Sequence, residues 1–552
     1  MTVTRHLLLP TRRHRPGRSQ APAYLALHHP EFSLFTTAEL YLVSVPLVVT
    51  SRCAGVTRRV ALWCPDFPPA GRRATKQPAS FTLQKYAICP ALSNFPDAGL
   101  KSYLCRDQEN GMNVKTLVFI LLHVLLGWAV YRFPVLAKVY ATALTVAVFV
   151  LIFIWKKIDY LIFLAGYVMA AEVFTRMTRG LFFYEIHKYL SILIFLAILF
   201  HRGIRKSSVP YMIYILLLLP GIFYTMMIES ADPSYIITSV RKTLFFNIAG
   251  PMALGIGALA LDKYQFGLNR FKQLFQWMIY PIITTTIYVI FHTPSLKEVF
   301  FTTSANFATS GGFGPNQVAT ILGMGIFLAA ALFVLSDNLT EKIVWLILLI
   351  LVSYRSFLTF SRGGTLTGIA MIIVFVIASM RSDFRFLKSR NIAGIVIASV
   401  VVVISFNFVM EATQGIIWYR FTGKNRLGQE KPDYTSGRKD LFLIELEDFI
   451  RHPVMGAGVG RASLARYKRL GIKIATHAEI SRLLSEHGIF GLIALLLLML
   501  TPFLQGLASR NNIFFWPFYV FWLFTISHSA MRLVAPATMY AFSLILMKKN
   551  ED

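Results

Sequence analysis

Long runs of apolar residues recur from about residue 115 to the C-terminus, separated mostly by short polar segments. A helix needs about 20 residues to cross the roughly 30 Å hydrocarbon core of a bilayer. The pattern therefore predicts an all-α polytopic membrane protein with roughly 12–14 transmembrane helices. The predicted spans are 115–131, 134–155, 158–174, 187–201, 209–228, 243–261, 274–292, 316–335, 342–360, 363–380, 391–410, 488–504, 513–528 and 531–547.

The first 111 residues have a different character. They are rich in Arg and Pro, show no clear periodicity, and contain the four cysteines of the chain, Cys53, Cys64, Cys89 and Cys105. We expect the natural protein to begin at Met112, which would make residues 1–111 a non-native extension; a genuine disordered basic tail is the alternative. Since no cysteine follows Met112, the membrane portion has no thiol nucleophile, thiolate metal ligand or disulfide.

The net charge of +28 is spread over loops between the spans, so it indicates membrane topology rather than a nucleic-acid partner. Loops such as "HRGIRKSS" and "RSDFRFLKSR" alternate with less basic ones, which predicts that the Met112 end is cytoplasmic. The alternation then places "SRGG" and the long polar segment 411–487 together on the extracytoplasmic side. The predicted organisation is spans over 112–410, a loop with short helices over 411–487, and further spans with a short cytoplasmic tail over 488–552.

The long polar segment predicts two helices joined by a turn. The stretch "SGRKDLFLIELEDFIRH" has Leu441 and Ile444 toward one side, and His452-Pro453 stops it. The glycines of "GAGVGR" lack the GxGxxG spacing, have no GK[ST] and do not follow a buried strand, so a tight turn is preferred to a nucleotide loop. A second helix is expected to begin near Thr476.

Histidines and glutamates gather in "ATHAEISRLLSEHGIFGL", which raises the question of a metal site. His477 and Glu479 form H-x-E, but the cysteines that complete a zinc-deaminase site are missing, and the pattern H-E-x-x-H does not occur here. On one helix, His477 and His487 would be separated by about 280° of rotation, so their rings would not converge. We therefore expect no metal and no other cofactor.

Two arginines stand out in "LVSYRSFLTFSRGG". Arg355 and Arg362 are seven residues apart, and on one helix they would share a face about 10.5 Å apart. A charge within a span usually faces a cavity or a partner. The glycines after Arg362 would let a large anion approach the backbone, although a solvated interfacial charge is the alternative.

Further ionisable residues extend the pattern. Glu172 and Arg176 have i, i+4 spacing, which favours an internal salt bridge on their span. The long loop adds Arg420, Arg438 and Lys439. A solvated face or contact with anionic lipid headgroups would explain these cations, but together with Arg362 they indicate a site for a multiply charged anion. Arginine suits phosphate because its planar guanidinium donates bidentate hydrogen bonds.

Four motifs occur in order: "GPNQVA", "LTFSRGGTLTG", "SGRKDLFLIELEDFIRHPVMGAGVG" and "THAEISRLLSEHGIFGL". Over roughly residues 112–550 the chain resembles the bacterial O-antigen ligase and polysaccharide polymerase family. The resemblance implies a metal-independent glycosyltransferase of the inner membrane with a GT-C-like, many-helix fold. It also implies a donor glycan on undecaprenyl pyrophosphate at the periplasmic face. The acceptor is lipid A–core in ligases and another lipid-linked glycan in polymerases.

Site residues follow from the resemblance by position. Arg362 and Arg438 match the arginines expected to hold the pyrophosphate, and His477 matches the histidine of the family's "HN" pair, with Ala478 in place of the asparagine. We expect these three to be catalytic, with His477 as general base. Arg355, Arg420 and Lys439 are expected to bind substrate. A transporter or flippase for a polysaccharide or lipid-linked oligosaccharide is the alternative function, although the chain shows no internal repeat.

Overall fold

The computed structural model describes residues 113–155, 157–231, 237–295, 299, 303–382, 385–431, 437–462, 476, 478–508 and 512–548. The expected start at Met112 and the N-terminal extension lie outside these ranges. The described residues within 114–336 and 342–548 belong to one compact unit.

The described chain is almost entirely helical. Its helices are α1 (Val114–Arg132), α2 (Val135–Ile154), α3 (Ile158–Met177), α4 (Ile186–Arg202), α5 (Val209–Ala231), α6 (Ile237–Leu261), α7 (Leu268–His292), α8 (Pro315–Leu335), α9 (Leu339–Leu358), α10 (Arg362–Arg381), α11 (Arg385–Ala412), α12 (Ile416–Thr422), α13 (Arg438–Arg451), α14 (Glu479–Ala508), α15 (Phe515–His528) and α16 (Ala535–Ser543). Short 3₁₀ turns lie at Lys206–Ser208, Ala308–Ser310 and Ala530–Arg532, and β1 (Gln265–Phe266) pairs in parallel with β2 (Leu546–Met547).

The predicted fold class, an all-α multi-pass membrane protein, is confirmed. Within the described residues, 10 helices are long and apolar enough to cross a membrane. The predicted span 531–547 is broken instead into a 3₁₀ turn, the nine-residue α16 and a strand. Helix α4, with 17 residues, is at the lower end of the length needed for a crossing, and α15, with 14 residues, is below it.

Burial separates central from peripheral helices. In α8, 94% of the most apolar 18-residue window is buried in the protein, whereas in α2 the buried share is 22%. Large apolar side chains on the outer helices, including Val135, Phe153 and Val403, are exposed. An exposed apolar belt of this extent matches the hydrocarbon of a bilayer rather than water.

Helices α8 and α10 pack at the distance that only glycine allows. A Cβ atom on Gly364 would come within 2.2 Å of the carbonyl carbon of Ala319, and one on Gly323 within 2.0 Å of the Gly364 oxygen. Small residues permit this close approach between membrane helices. The contact fixes the first turn of α10 against residues 319–323 of α8.

The long polar segment folds onto α14. Its predicted helix is present as α13, which buries Leu441 and Ile444. The "GAGVGR" turn packs on α14, where the Ala457 amide donates to the Ser485 oxygen at 2.7 Å. Helix α14 continues through Gly488, where a φ of 60° and a ψ of −136° produce a kink. The sequence predicted that a new span begins at residue 488, and the structure has a bend within one helix at this position.

Candidate functional site

The chain reverses between α9 and α10, and this turn separates two of the predicted site residues. Phe360 adopts a left-handed backbone with φ of 57°, which ends α9 before Ser361 leads into α10. Arg355 lies in the last turn of α9, whereas Arg362 is the first residue of α10. The expectation that these arginines share one helical face was therefore wrong, because the helix does not continue through Phe360.

Arg355 is buried and engaged with the neighbouring helix. Its Nη2 donates to the Val289 oxygen at 2.6 Å and to Thr293 Oγ1 at 2.8 Å. Both acceptors lie at the C-terminal end of α7, where the Val289 oxygen also accepts from the Thr293 amide at 3.0 Å. In this arrangement Arg355 secures the end of α7, and its binding of substrate stays a prediction.

Arg420 ties the long loop to the α9–α10 turn. From α12 it donates Nε to the Phe360 oxygen at 2.9 Å and Nη1 to the Thr303 oxygen at 3.2 Å. The Nζ of Lys431 donates to the same Thr303 oxygen at 2.7 Å. Lys431 was not among the sequence-predicted residues, since a single lysine in a basic loop carries no distinguishing signal.

Arg362, Arg420, Lys431 and Arg438 form what we call the cationic cluster. Burial lowers the pKa of Arg438, and the charge of Arg362 lowers it further. Burial also lowers the pKa of Lys431, with added contributions from the charges of Arg420 and Arg362. Arg362 therefore acts on both Arg438 and Lys431, and Arg420 acts on Lys431. Positive charges that raise one another's energy in this way favour the binding of a multiply charged anion. Lys439, the remaining predicted binding residue, is exposed on α13 beside Arg438.

Two of the four cations occupy helix N-termini. Arg362 is the first residue of α10 and Arg438 the first of α13. A cation at the positive end of a helix dipole is unfavourable by itself, but an anion there would gain from the dipole and from the amide donors. The charge interaction between Arg362 and Arg438 therefore joins two residues that each begin a helix.

Residues of the "GPNQVA" motif and of α15 pack around Arg362. Ser361 Oγ donates to Asn316 Oδ1 at 2.7 Å, which joins the start of α10 to the start of α8. The ring of His528 fills the space beside Gly363, since a Cβ there would approach His528 Cδ2 at 2.5 Å. The imidazole of His528, which sequence reasoning missed, also lies 3.4 Å from Thr320 Oγ1 through Nε2.

His477 lies outside the described residues, but its neighbours in the chain are fixed. Arg532 donates Nε and Nη2 to the Thr476 oxygen at 3.1 and 2.8 Å. On the other side, the Glu479 carboxylate accepts from the Met531 amide at 3.2 Å and pairs with Arg482. The 3₁₀ turn Ala530–Arg532 therefore contacts the backbone of Thr476 and the side chain of Glu479, one on each side of His477 in the chain.

Helix α3 anchors this 3₁₀ turn. Arg176 and Glu172 form the internal salt bridge favoured by their spacing, at 2.6 Å, so this prediction is confirmed. Arg176 Nη1 donates to the Arg532 oxygen at 2.9 Å, and Glu172 Oε2 accepts from the Val534 amide at 2.7 Å. The buried ion pair thus holds the backbone of the 530–534 region.

A protein-family model matches one part of the chain. Residues 346–496 match the family model described as O-Antigen ligase. No curated protein and no solved structure matches the chain significantly. The matched segment contains all of the cationic cluster and supports a membrane enzyme of the O-antigen ligase or polymerase type. The predicted resemblance to the O-antigen ligase family is thereby confirmed over the segment that builds the site.

Proposed function

We propose that the protein is a glycosyltransferase that transfers or polymerises an undecaprenyl-pyrophosphate-linked glycan at the periplasmic face of the inner membrane. One observation carries the proposal: α10 and α13 begin with Arg362 and Arg438, whose charges act on each other beside Arg420 and Lys431. A pyrophosphate would neutralise this accumulation of positive charge, and both arginines have the planar fork that suits phosphate oxygens.

The proposed reaction exchanges one bond at the anomeric carbon of the donor sugar. An acceptor hydroxyl oxygen forms a bond to this carbon while the bond to the pyrophosphate oxygen breaks, and the electron pair leaves with the lipid pyrophosphate. Negative charge then grows on the departing group, where the cationic cluster and the first amides of α10 and α13 would stabilise it. His477 would accept the proton of the acceptor hydroxyl, a role typically worth about 10²–10⁴-fold in rate.

Complementation of a deletion strain tests the proposal. We expect Arg362→Ala and Arg438→Ala each to lower glycan transfer by about 10²–10³-fold at unchanged expression, because each removes a donor to the leaving group. His477→Ala should abolish detectable surface polysaccharide. Arg381→Ala and Arg451→Ala are matched controls, since these residues end the same two helices and are exposed. Full activity of all three site variants would refute the assignment.

The gel pattern identifies the acceptor class. A polymerase variant that has lost activity should reduce the polysaccharide ladder to a single repeat unit. A ligase variant should instead leave polymer on its lipid carrier and free the lipid A–core of glycan. Both patterns differ from that of a failed flippase, which would retain the lipid-linked glycan at the cytoplasmic face.

A further inference from the structure

A separate cavity of about 800 Å³ opens where α3 and α7 end. Its walls come from three segments: the end of α3 with the connection to α4, the end of α7, and residues 311–313. The volume lies within the range of about 300–1,000 Å³ typical of ligand pockets. The predicted function assigned no role to any of these segments.

The deepest charge of this cavity is neutralised within the protein. Arg176 pairs with Glu172 at 2.6 Å and with Glu185 at 3.3 Å, and the Tyr184 ring covers its guanidinium at 4.1 Å. These buried contacts give Arg176 a structural role. Recognition of a ligand would therefore depend on the more exposed lining residues.

The exposed lining combines aromatic faces with a few hydrogen-bond donors. Phe182 and Phe183 are 68% and 50% exposed, although both line the cavity. His292 is exposed and stacks on Tyr288 with ring centroids 5.3 Å apart. Arg179 is exposed, and among the described residues its guanidinium has neither a hydrogen bond nor an ion pair. An apolar lining with a few placed polar groups is the usual character of a ligand site.

This combination suits a saccharide better than a lipid chain. Sugar rings present C–H faces that stack on aromatic rings, and their edges carry hydroxyls that accept from arginine and donate to or accept from imidazole. A polyprenyl chain would instead desolvate Arg179 and His292 without giving them partners, which is costly.

One short segment of the chain connects the cavity to the cationic cluster. The segment 303–313 accepts hydrogen bonds from Arg420 and Lys431 at the Thr303 oxygen, and its last three residues line the cavity. Between these ends, the Asn306 amide donates to the Thr359 oxygen at 3.0 Å, which attaches the segment to the α9–α10 turn. A ligand in the cavity would thus contact one end of the segment whose other end accepts hydrogen bonds from the cluster.

We propose that this cavity binds the saccharide of a transfer substrate, with Phe182 as a stacking surface and Arg179 as a hydrogen-bond donor. The proposal rests on the proposed function for the identity of the substrate. The saccharide comes either from the acceptor glycan or from the sugar portion of the donor. Both sources present the same chemistry, so binding is tested first and the source second.

Binding is measured by isothermal titration of the purified full chain with an oligosaccharide released by mild acid from the host's lipid-linked glycan. We expect Phe182→Ala and Arg179→Gln each to raise the Kd about tenfold. Phe182→Tyr should have the Kd of the unaltered protein, since tyrosine keeps the stacking face. Phe200→Ala and Arg381→Gln are matched controls, because both residues are exposed away from the cavity. An unchanged Kd in both cavity variants would overturn the proposal.

A transfer assay with the same variants identifies the source. A higher KM for the acceptor alone assigns the cavity to the acceptor glycan, and a higher KM for the donor alone assigns it to the donor sugar. Weaker binding of polyprenyl phosphate with unchanged oligosaccharide binding would refute a saccharide site and indicate a lipid site. The titration measures binding without catalysis. Its result is therefore independent of the complementation experiment, in which full activity of the Arg362 and Arg438 variants would refute the proposed reaction.

Discussion

At the scale of single residues, Arg532 is placed to control the geometry around His477. Two of its nitrogens hold the Thr476 oxygen, and Thr476 directly precedes His477 in the chain. A general base must stay within hydrogen-bond reach of the proton that it removes, and small misplacements can cost about 10²-fold in rate. Arg532→Lys keeps the charge but loses the two-pronged contact, so we expect kcat to fall about tenfold or more while the donor KM changes little.

The matched control is Arg205→Lys. Arg205 also donates its guanidinium to a backbone oxygen, that of Lys263 at 3.3 Å, but it lies in the connection between α4 and α5. Steady-state kinetics of both variants in detergent separate positioning from general damage. Equal kcat values for Arg532→Lys and the unaltered protein would remove Arg532 from the proposed mechanism, and a parallel loss in Arg205→Lys would indicate nonspecific destabilisation.

Residue type and motif order predicted part of the site. Arg362, Arg420 and Arg438 could be selected because arginine at span boundaries and in a long loop suits an anionic ligand. His528 could not be selected from the sequence, since its proximity to Gly363 depends on the packing of α15 against α10. Arg532 did carry a usable signal, because it lies within the predicted span 531–547, where an ionisable residue indicates function.

At the scale of elements, the contact between α8 and α10 sets the position of Arg362. A Cβ on Gly364 would overlap backbone atoms of Ala319 and Thr320, which cannot rotate away as a side chain can. Gly364→Ala should therefore push the two helices apart and cost about 1–3 kcal/mol through overpacking. We expect a lower Tm of the purified protein in detergent, together with reduced transfer because the first turn of α10 moves.

Gly267→Ala provides the comparison for that substitution. An added Cβ at Gly267 would meet no atom within 4 Å, and the residue has an ordinary φ of −77°. Its Tm should stay close to the value of the unaltered protein, since the entropy gained by removing a glycine offsets the weaker N-cap. If Gly364→Ala is as stable as Gly267→Ala, the close approach of α8 and α10 described above is wrong.

Hydrophobic runs located most helices but not their interruptions. Apolar patterning reports that a segment is buried in protein or lipid, and this information placed α1 to α11 correctly. The left-handed Phe360 and the kink at Gly488 arise from contacts with distant segments, as when Gly488 packs against the oxygens of Pro453 and Val454. Such breaks decide which charged residues share a face, so the pairing of Arg355 with Arg362 could not be settled from spacing alone.

At the scale of the whole molecule, the proposed chemistry depends on which side of the membrane the cationic cluster faces. The basic loops predict that the connection between α4 and α5 is cytoplasmic and that the segment between α12 and α13 is periplasmic. Exposed positions represent each side: Lys206 for the first and Leu427, which is 82% exposed, for the second. Residues after Met112 contain no cysteine, so single introduced thiols can report this orientation.

We expect Leu427→Cys to react with a membrane-impermeant maleimide in cells whose outer membrane alone is permeabilised, because its loop should face the periplasm. Lys206→Cys should react only after the inner membrane is lysed. Cys53, Cys64, Cys89 and Cys105 are replaced by serine in both variants, so that only the introduced thiol is labelled. The opposite labelling pattern would place the cationic cluster in the cytoplasm. It would then rule out transfer from a periplasmic donor, even if Arg362 and Arg438 proved essential.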